Sequence, residues 1–130
     1  MVPIDLPTPA PGLDRELASD YRTALRDQGV RVRAVTIIDE RAAGGARRVE
    51  IVYETATRGT PEALRPEVAR IVAPAANPRL AVDRIVVRPY RAATSLGTIT
   101  MSVVDLDLWL KVQIDDDEFY RRWVVDPSPR

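Results

Sequence analysis

The stretch Ile114-Asp115-Asp116-Asp117-Glu118-Phe119-Tyr120-Arg121-Arg122-Trp123 holds the densest run of groups that could do chemistry in this chain. Four consecutive carboxylates suggest a divalent cation site or acid–base catalysis. A calcium loop places acids at alternating positions, with glycine sixth and glutamate twelfth. This run has neither that spacing nor the glycine. Consecutive side chains also diverge on any regular backbone. A helix start explains the same residues better. Asp115 as N-cap with Glu118 three positions on is the pattern of a capping box. Asp116 and Asp117 then lie where the helix dipole favours negative charge, and Arg121 and Arg122 where it favours positive charge. Asp117 and Arg121 are spaced for an i,i+4 pair, and Ile114 is placed to pack on Phe119. No metal and no cofactor are expected.

With that run explained, little remains for catalysis. The chain contains no histidine and no cysteine. Imidazole acid–base chemistry, thiolate nucleophiles, disulfides and Cys/His zinc sites are therefore excluded. Glu50 and Glu54 could serve a two-carboxylate mechanism only by elimination, because such a mechanism needs two carboxyls held across a pocket in contrasting environments. The expectation is a protein that is not an enzyme.

Nineteen basic and nineteen acidic residues cancel, so no general affinity for nucleic acid is expected. Every cation but Lys111 is arginine. That bias fits a GC-rich, bacterial genome, and the arginines need not mark an anion site. The Gly44-Gly45 pair lies between two strand patterns and lacks a P-loop lysine. Base stacking on a sheet would need neighbouring exposed rings, and only Tyr90 offers one. No apolar run reaches the length of a membrane span, and no signal-peptide pattern opens the chain. The cytoplasm is the expected location, with an extracytoplasmic domain of a longer precursor as the alternative.

The 130 residues suit one domain. Residues 1–12 read as a proline-rich arm, 13–125 as a single α+β domain and 126–130 as a tail. Asp14 can cap a helix carrying Leu17, Tyr21, Ala24, Leu25 and Gln28 on one side, with Gly29 as its stop. Two β-branched runs separated by a Gly-containing loop, residues 30–39 and 47–55, predict a hairpin. Thr60 and Pro61 predict a second helix start, with Leu64, Val68, Ile71 and Val72 as its stripe. Pro66 requires that helix to begin near Arg65 or to bend there. Residues 82–91 and 98–104 predict a second hairpin. The two hairpins align at an offset of fifty residues, with Arg41-Ala42-Ala43 recurring as Arg91-Ala92-Ala93, which suggests an internal repeat. Residues 106–112 alternate as a strand would, yet no turn residues precede them, and a short helix capped by Asp105 is the preferred reading. Asp107 and Lys111 would pair along it.

The expected order is thus α-ββ-α-ββ-α: a two-layer sandwich with a four-stranded antiparallel sheet and helices on one face. Val49, Ile51, Tyr53, Ile85, Val87, Ile99, Met101 and Val103 should face the helices. The opposite parity leaves an open face carrying Ile38, Arg48, Glu50, Val52, Glu54, Arg84, Val86, Arg88, Tyr90 and Thr100. Aliphatic residues within a polar rim are how protein interfaces are composed. The expected function is a non-catalytic interaction module that docks a protein partner, or pairs with itself as a homodimer, through this face. The alternative is a small-molecule or peptide binder using its Arg, Glu and Tyr residues.

Overall fold

The computed structural model describes residues 11–58 and 61–126. Helix α1 spans Pro11–Asp27 and is followed by the hairpin of β1 (Arg31–Asp39) and β2 (Arg47–Glu54). A 3-10 turn (Pro61–Leu64) leads into α2 (Arg65–Val72), and a second one (Ala73–Ala76) leaves it. Then come β3 (Arg84–Arg91), the two-residue β4 (Thr94–Ser95), β5 (Thr98–Ser102), α3 (Val103–Leu110), α4 (Asp116–Arg121) and β6 (Val124–Asp126).

The sheet is mixed and has six strands, in the order β1-β2-β3-β5-β6, with β4 paired to the end of β3. This corrects the expected four-stranded antiparallel sheet. β2 and β3 run parallel, with Val49 opposite Ile85 and Ile51 opposite Val87. The reason is the connection: α2 and its flanking turns carry the chain back to the end where β2 began, and such a crossover yields parallel neighbours. The remaining pairs, β1 with β2, β3 with β5 and β5 with β6, are antiparallel. Both expected hairpins are therefore present, joined by a parallel seam. The repeated triplets differ in conformation. Arg41–Ala43 forms a 3-10 turn, whereas Arg91 ends β3 and Ala92 turns with φ 55.

One core fills the helix side of the sheet. β2 alternates buried and half-buried along its whole length. Val49, Ile51, Ile85 and Val87 are fully buried, and Tyr53, Ile99 and Met101 nearly so. Val103 is the exception, since it opens α3 and does not extend β5. Leu17, Tyr21 and Leu25 of α1 and Val68, Ile71 and Val72 of α2 cover this layer. The Tyr21 hydroxyl donates to the Ile71 carbonyl at 2.7 Å, which fixes α1 against α2. Gly29 ends α1 as expected, at φ 86, with Val30 N–H bonded to the Leu25 carbonyl at 3.0 Å.

Helix starts differ in detail from expectation. α1 begins at Pro11, and Asp14 lies in its first turn instead of capping it. The cap expected at Thr60 lies outside the described residues, as does the proline-rich arm through residue 10. α2 starts at Arg65, so Pro66 stands where its missing N–H has no intrahelical role. Residues 103–110 are helical, capped one turn earlier than expected: Ser102 Oγ accepts from Val104 N–H at 3.0 Å. Lys111 pairs with Asp107 at 2.9 Å as its spacing implied. Leu106 is fully buried, whereas Leu110, one turn later, is 43% exposed.

The acidic run opens α4. Asp115 accepts from Glu118 N–H at 2.8 Å. Glu118 does not reach back to complete the capping box. It binds Arg121 at 2.6 Å and Arg122 at 2.9 Å, so the expected Asp117–Arg121 pair is replaced by these two. Trp109 Nε1 donates to Asp116 at 2.8 Å, and the Trp109 and Phe119 rings stack with centroids 4.7 Å apart. The four acids thus start a helix and tie it to α3.

Candidate functional site

The residues assigned to the open face lie together on the side of the sheet away from the helices, in rows set by strand register. One row runs Ile38, Arg48, Arg84, Ser102, and the next Thr36, Glu50, Val86, Thr100, Val124. Val52 stands beside Arg88, and Glu54 beside Tyr90. The side chains do not form an open apolar patch.

Glu50 is the hub. It takes Arg48 Nε at 2.8 Å and lies 3.7 Å from Arg88 Nε. Arg48 also pairs with Glu40, and these two carboxylates hold its guanidinium above the usual arginine range. Arg88 donates to Thr98 at 3.1 Å. Within this lattice Val86 is only 7% exposed. Among the described residues Arg84 has no hydrogen-bonded or ion-paired partner, and it is exposed. At the other end Arg33 donates to the Ala92 carbonyl at 2.6 Å and lies 3.4 Å from Glu54. Its guanidinium carbon sits 4.8 Å above the Tyr90 ring. Tyr90, the one ring available for stacking, is thereby capped.

Glu50 and Glu54 are thus engaged with separate arginines on one strand face, which is how charge stitches a wet sheet together. Among the described residues no group of three or more acidic side chains is placed to hold a metal ion. No helix there is long and apolar enough to cross a membrane.

Strand β1 forms one border of the sheet, its other neighbour being β2. The register slips between Val32 and Ala34, so Arg33 is a bulge, and from Ala34 to Asp39 the pairing is regular. In that regular part Val35 and Ile37 are half-buried against the core, Ala34 and Ile38 are half-buried on the open side, and Thr36 is exposed.

Two polar centres on the helix side were not singled out from sequence. Arg47 is 5% exposed. It gives Asp14 a two-pronged contact at 2.8 and 3.2 Å, and bonds Asp39 at 3.3 Å and the Leu80 carbonyl at 2.9 Å. Asp14 first, then Asp39, hold its guanidinium above the usual arginine range. The readable signal was parity: Arg47 shares its face with Val49 and Ile51. The second centre joins Tyr53 to Glu67 at 2.6 Å and Thr57 to the same carboxylate at 3.0 Å. Burial first, then the Glu67 hydrogen bond, push the Tyr53 hydroxyl well above its ordinary range. Both centres use up their polar groups in holding elements together.

Compared with known proteins, the chain matches no family model, no curated protein and no solved structure.

Proposed function

We propose that the chain is a non-catalytic binding module that self-associates edge to edge through β1 and so extends the open face of its sheet across two copies. The observation that carries this reading is the border strand β1, regular over Ala34–Asp39 and apolar on both of its faces. A sheet border is a template for another strand. Antiparallel pairing of two copies with Thr36 at the twofold axis sets Val35 opposite Ile37 on the helix side. It sets Ala34 opposite Ile38 on the open side. Faces match at every position, as a self-complementary interface requires, and the Arg33 bulge limits the pairing to this segment.

Sedimentation equilibrium up to high micromolar concentration tests it. The expected result is a dimer that Thr36→Lys weakens at least tenfold, because two like charges then face each other at the axis. Thr36 is exposed, so the fold should be unaffected. A wild-type monomer throughout the range overturns the proposal. Association lost in Val52→Glu but kept in Thr36→Lys replaces edge pairing by face-to-face packing.

A second reading, an anionic peptide or small molecule lying on the open face, is favoured by one observation: the Arg84 side chain is exposed and unpaired among the described residues, beside the Glu40–Arg48–Glu50–Arg88 lattice, whose charges cancel. Loss of binding in Arg84→Ala would support it.

A further inference from the structure

A cavity of about 160 Å³ lies between the start of α2, α4 and the β3-β5-β6 end of the sheet. Leu64, Pro89, Leu96 and Ile99 give it apolar walls. Val125, which is 54% exposed, gives it an apolar lip. Two charged residues of opposite sign line it as well, Glu62 and Arg65, and both are exposed.

Glu62 and Arg65 stand three residues apart, across the junction of the 3-10 turn with α2. Side chains at that spacing are neighbours, and opposite charges there ordinarily pair. Glu118 and Arg121, equally spaced in α4, do so at 2.6 Å. Glu62 and Arg65 do not: among the described residues neither has an ion-pair partner. Arg65 stands instead over the Tyr120 ring, with its guanidinium carbon 5.7 Å from the centroid. The rim of the hollow thus holds a negative and a positive group apart.

A ligand that suits such a rim carries both charges, since a lone anion would meet Glu62 and a lone cation Arg65. The apolar walls require an uncharged branch beside those charges. From this geometry we infer a binding site for a free α-amino acid with a compact branched or aromatic side chain. Its ammonium faces Glu62, its carboxylate faces the Arg65 fork, and its side chain fills the space among Leu64, Pro89, Leu96 and Ile99. A cavity of this size holds a group about as large as a benzene ring, so leucine and phenylalanine fit and tryptophan does not. The site lies at the end of the sheet opposite the β1 border and does not depend on self-association.

L-Leucine is the probe. Isocaproate is its counterpart without the ammonium, and isoamylamine its counterpart without the carboxylate. Calorimetric titration should give one site for L-leucine with a Kd of about 1 mM or tighter. Both counterparts and L-tryptophan should bind at least tenfold more weakly. In methyl NMR spectra the Leu96 and Val125 signals should shift on titration, while that of Val104, exposed on α3, stays in place. Glu62→Gln and Arg65→Gln, both at exposed positions, keep the fold and should each weaken L-leucine binding at least tenfold. No saturable binding of L-leucine up to about 10 mM, or its affinity unchanged in either variant, would overturn the inference. So would either counterpart, or L-tryptophan, bound as tightly as L-leucine.

Discussion

Replacing Arg47 by methionine removes a buried guanidinium while keeping most of its apolar length. Asp14, 14% exposed at its side chain, loses both of its contacts to that guanidinium, and the Leu80 carbonyl loses its donor. Asp39, 8% exposed at its side chain, keeps Arg41 at 2.6 Å, so the orphaned charge is chiefly that of Asp14. Breaking a buried pair by deleting one partner costs about 3–5 kcal/mol. Because Asp39 remains compensated, the lower end applies, about 3 kcal/mol. At this chain length that corresponds to a fall in Tm of roughly 10 °C. The double variant Arg47→Met with Asp14→Leu leaves no orphan, and should recover to within about 1–2 kcal/mol of the wild type. Urea unfolding followed by far-UV circular dichroism gives both numbers. A loss under about 1 kcal/mol in the single variant, or a double variant no more stable than the single, would refute the role of Arg47 as a buried ionic tie between α1, β1, β2 and the Leu80 segment.

Two further predictions follow from named strain and charge. Val112 closes α3 at φ 59 and is 87% exposed, with Gln113 N–H bonded to the Leu108 carbonyl at 2.9 Å, a position at which glycine is usual. A left-handed β-branched residue costs more than the backbone freedom glycine adds, so Val112→Gly should raise stability by about 0.5–1 kcal/mol in the same urea assay; a destabilised variant would contradict it. The Arg41 guanidinium first, with its backbone N–H and Arg47, holds the Asp39 carboxyl below the usual carboxylate range. A lowered folded-state pKa gives stability that is complete above the unfolded value of about 3.9 and lost as pH falls through the folded one. Below about pH 4 the Tm should therefore fall more steeply with pH in the wild type than in Asp39→Asn, and parallel acid limbs would rule this out.

What could be read from sequence was what periodicity controls. The alternation Val49, Ile51, Tyr53 marked the buried side of β2, and the α1 stripe of Leu17, Tyr21 and Leu25 is buried as its spacing implied. The residues named for the open face share one side of the sheet for the same reason, since strand parity alone decides which residues stand in a row. Its chemistry was not legible. Whether Arg48 and Arg88 are available depends on their sharing Glu50, and that follows from the β2-β3 register. β3 departs from alternation: Ile85 and Val87 belong to the core, while Val86, on the open face between Glu50 and Thr100, is buried as well. β6, three residues long, is too short for any period to show. The α3 cap turned on two residues of equal aptitude, Ser102 and Asp105. Position decided for Ser102, because Val103 N–H also bonds the Asp83 carbonyl at 3.0 Å.

The seam between β2 and β3 also orders events in time. Each hairpin pairs residues near one another in sequence, whereas Arg48 meets Arg84 only after the α2 crossover has come round. Nearby contacts close quickly and remote ones slowly. The two hairpins are therefore expected to close before the crossover helix brings their inner borders into register. Those borders are the bare strands that invite mispairing with other chains. In the finished molecule the middle of the sheet is fully buried on its helix side, and during folding it is expected to be the last part covered.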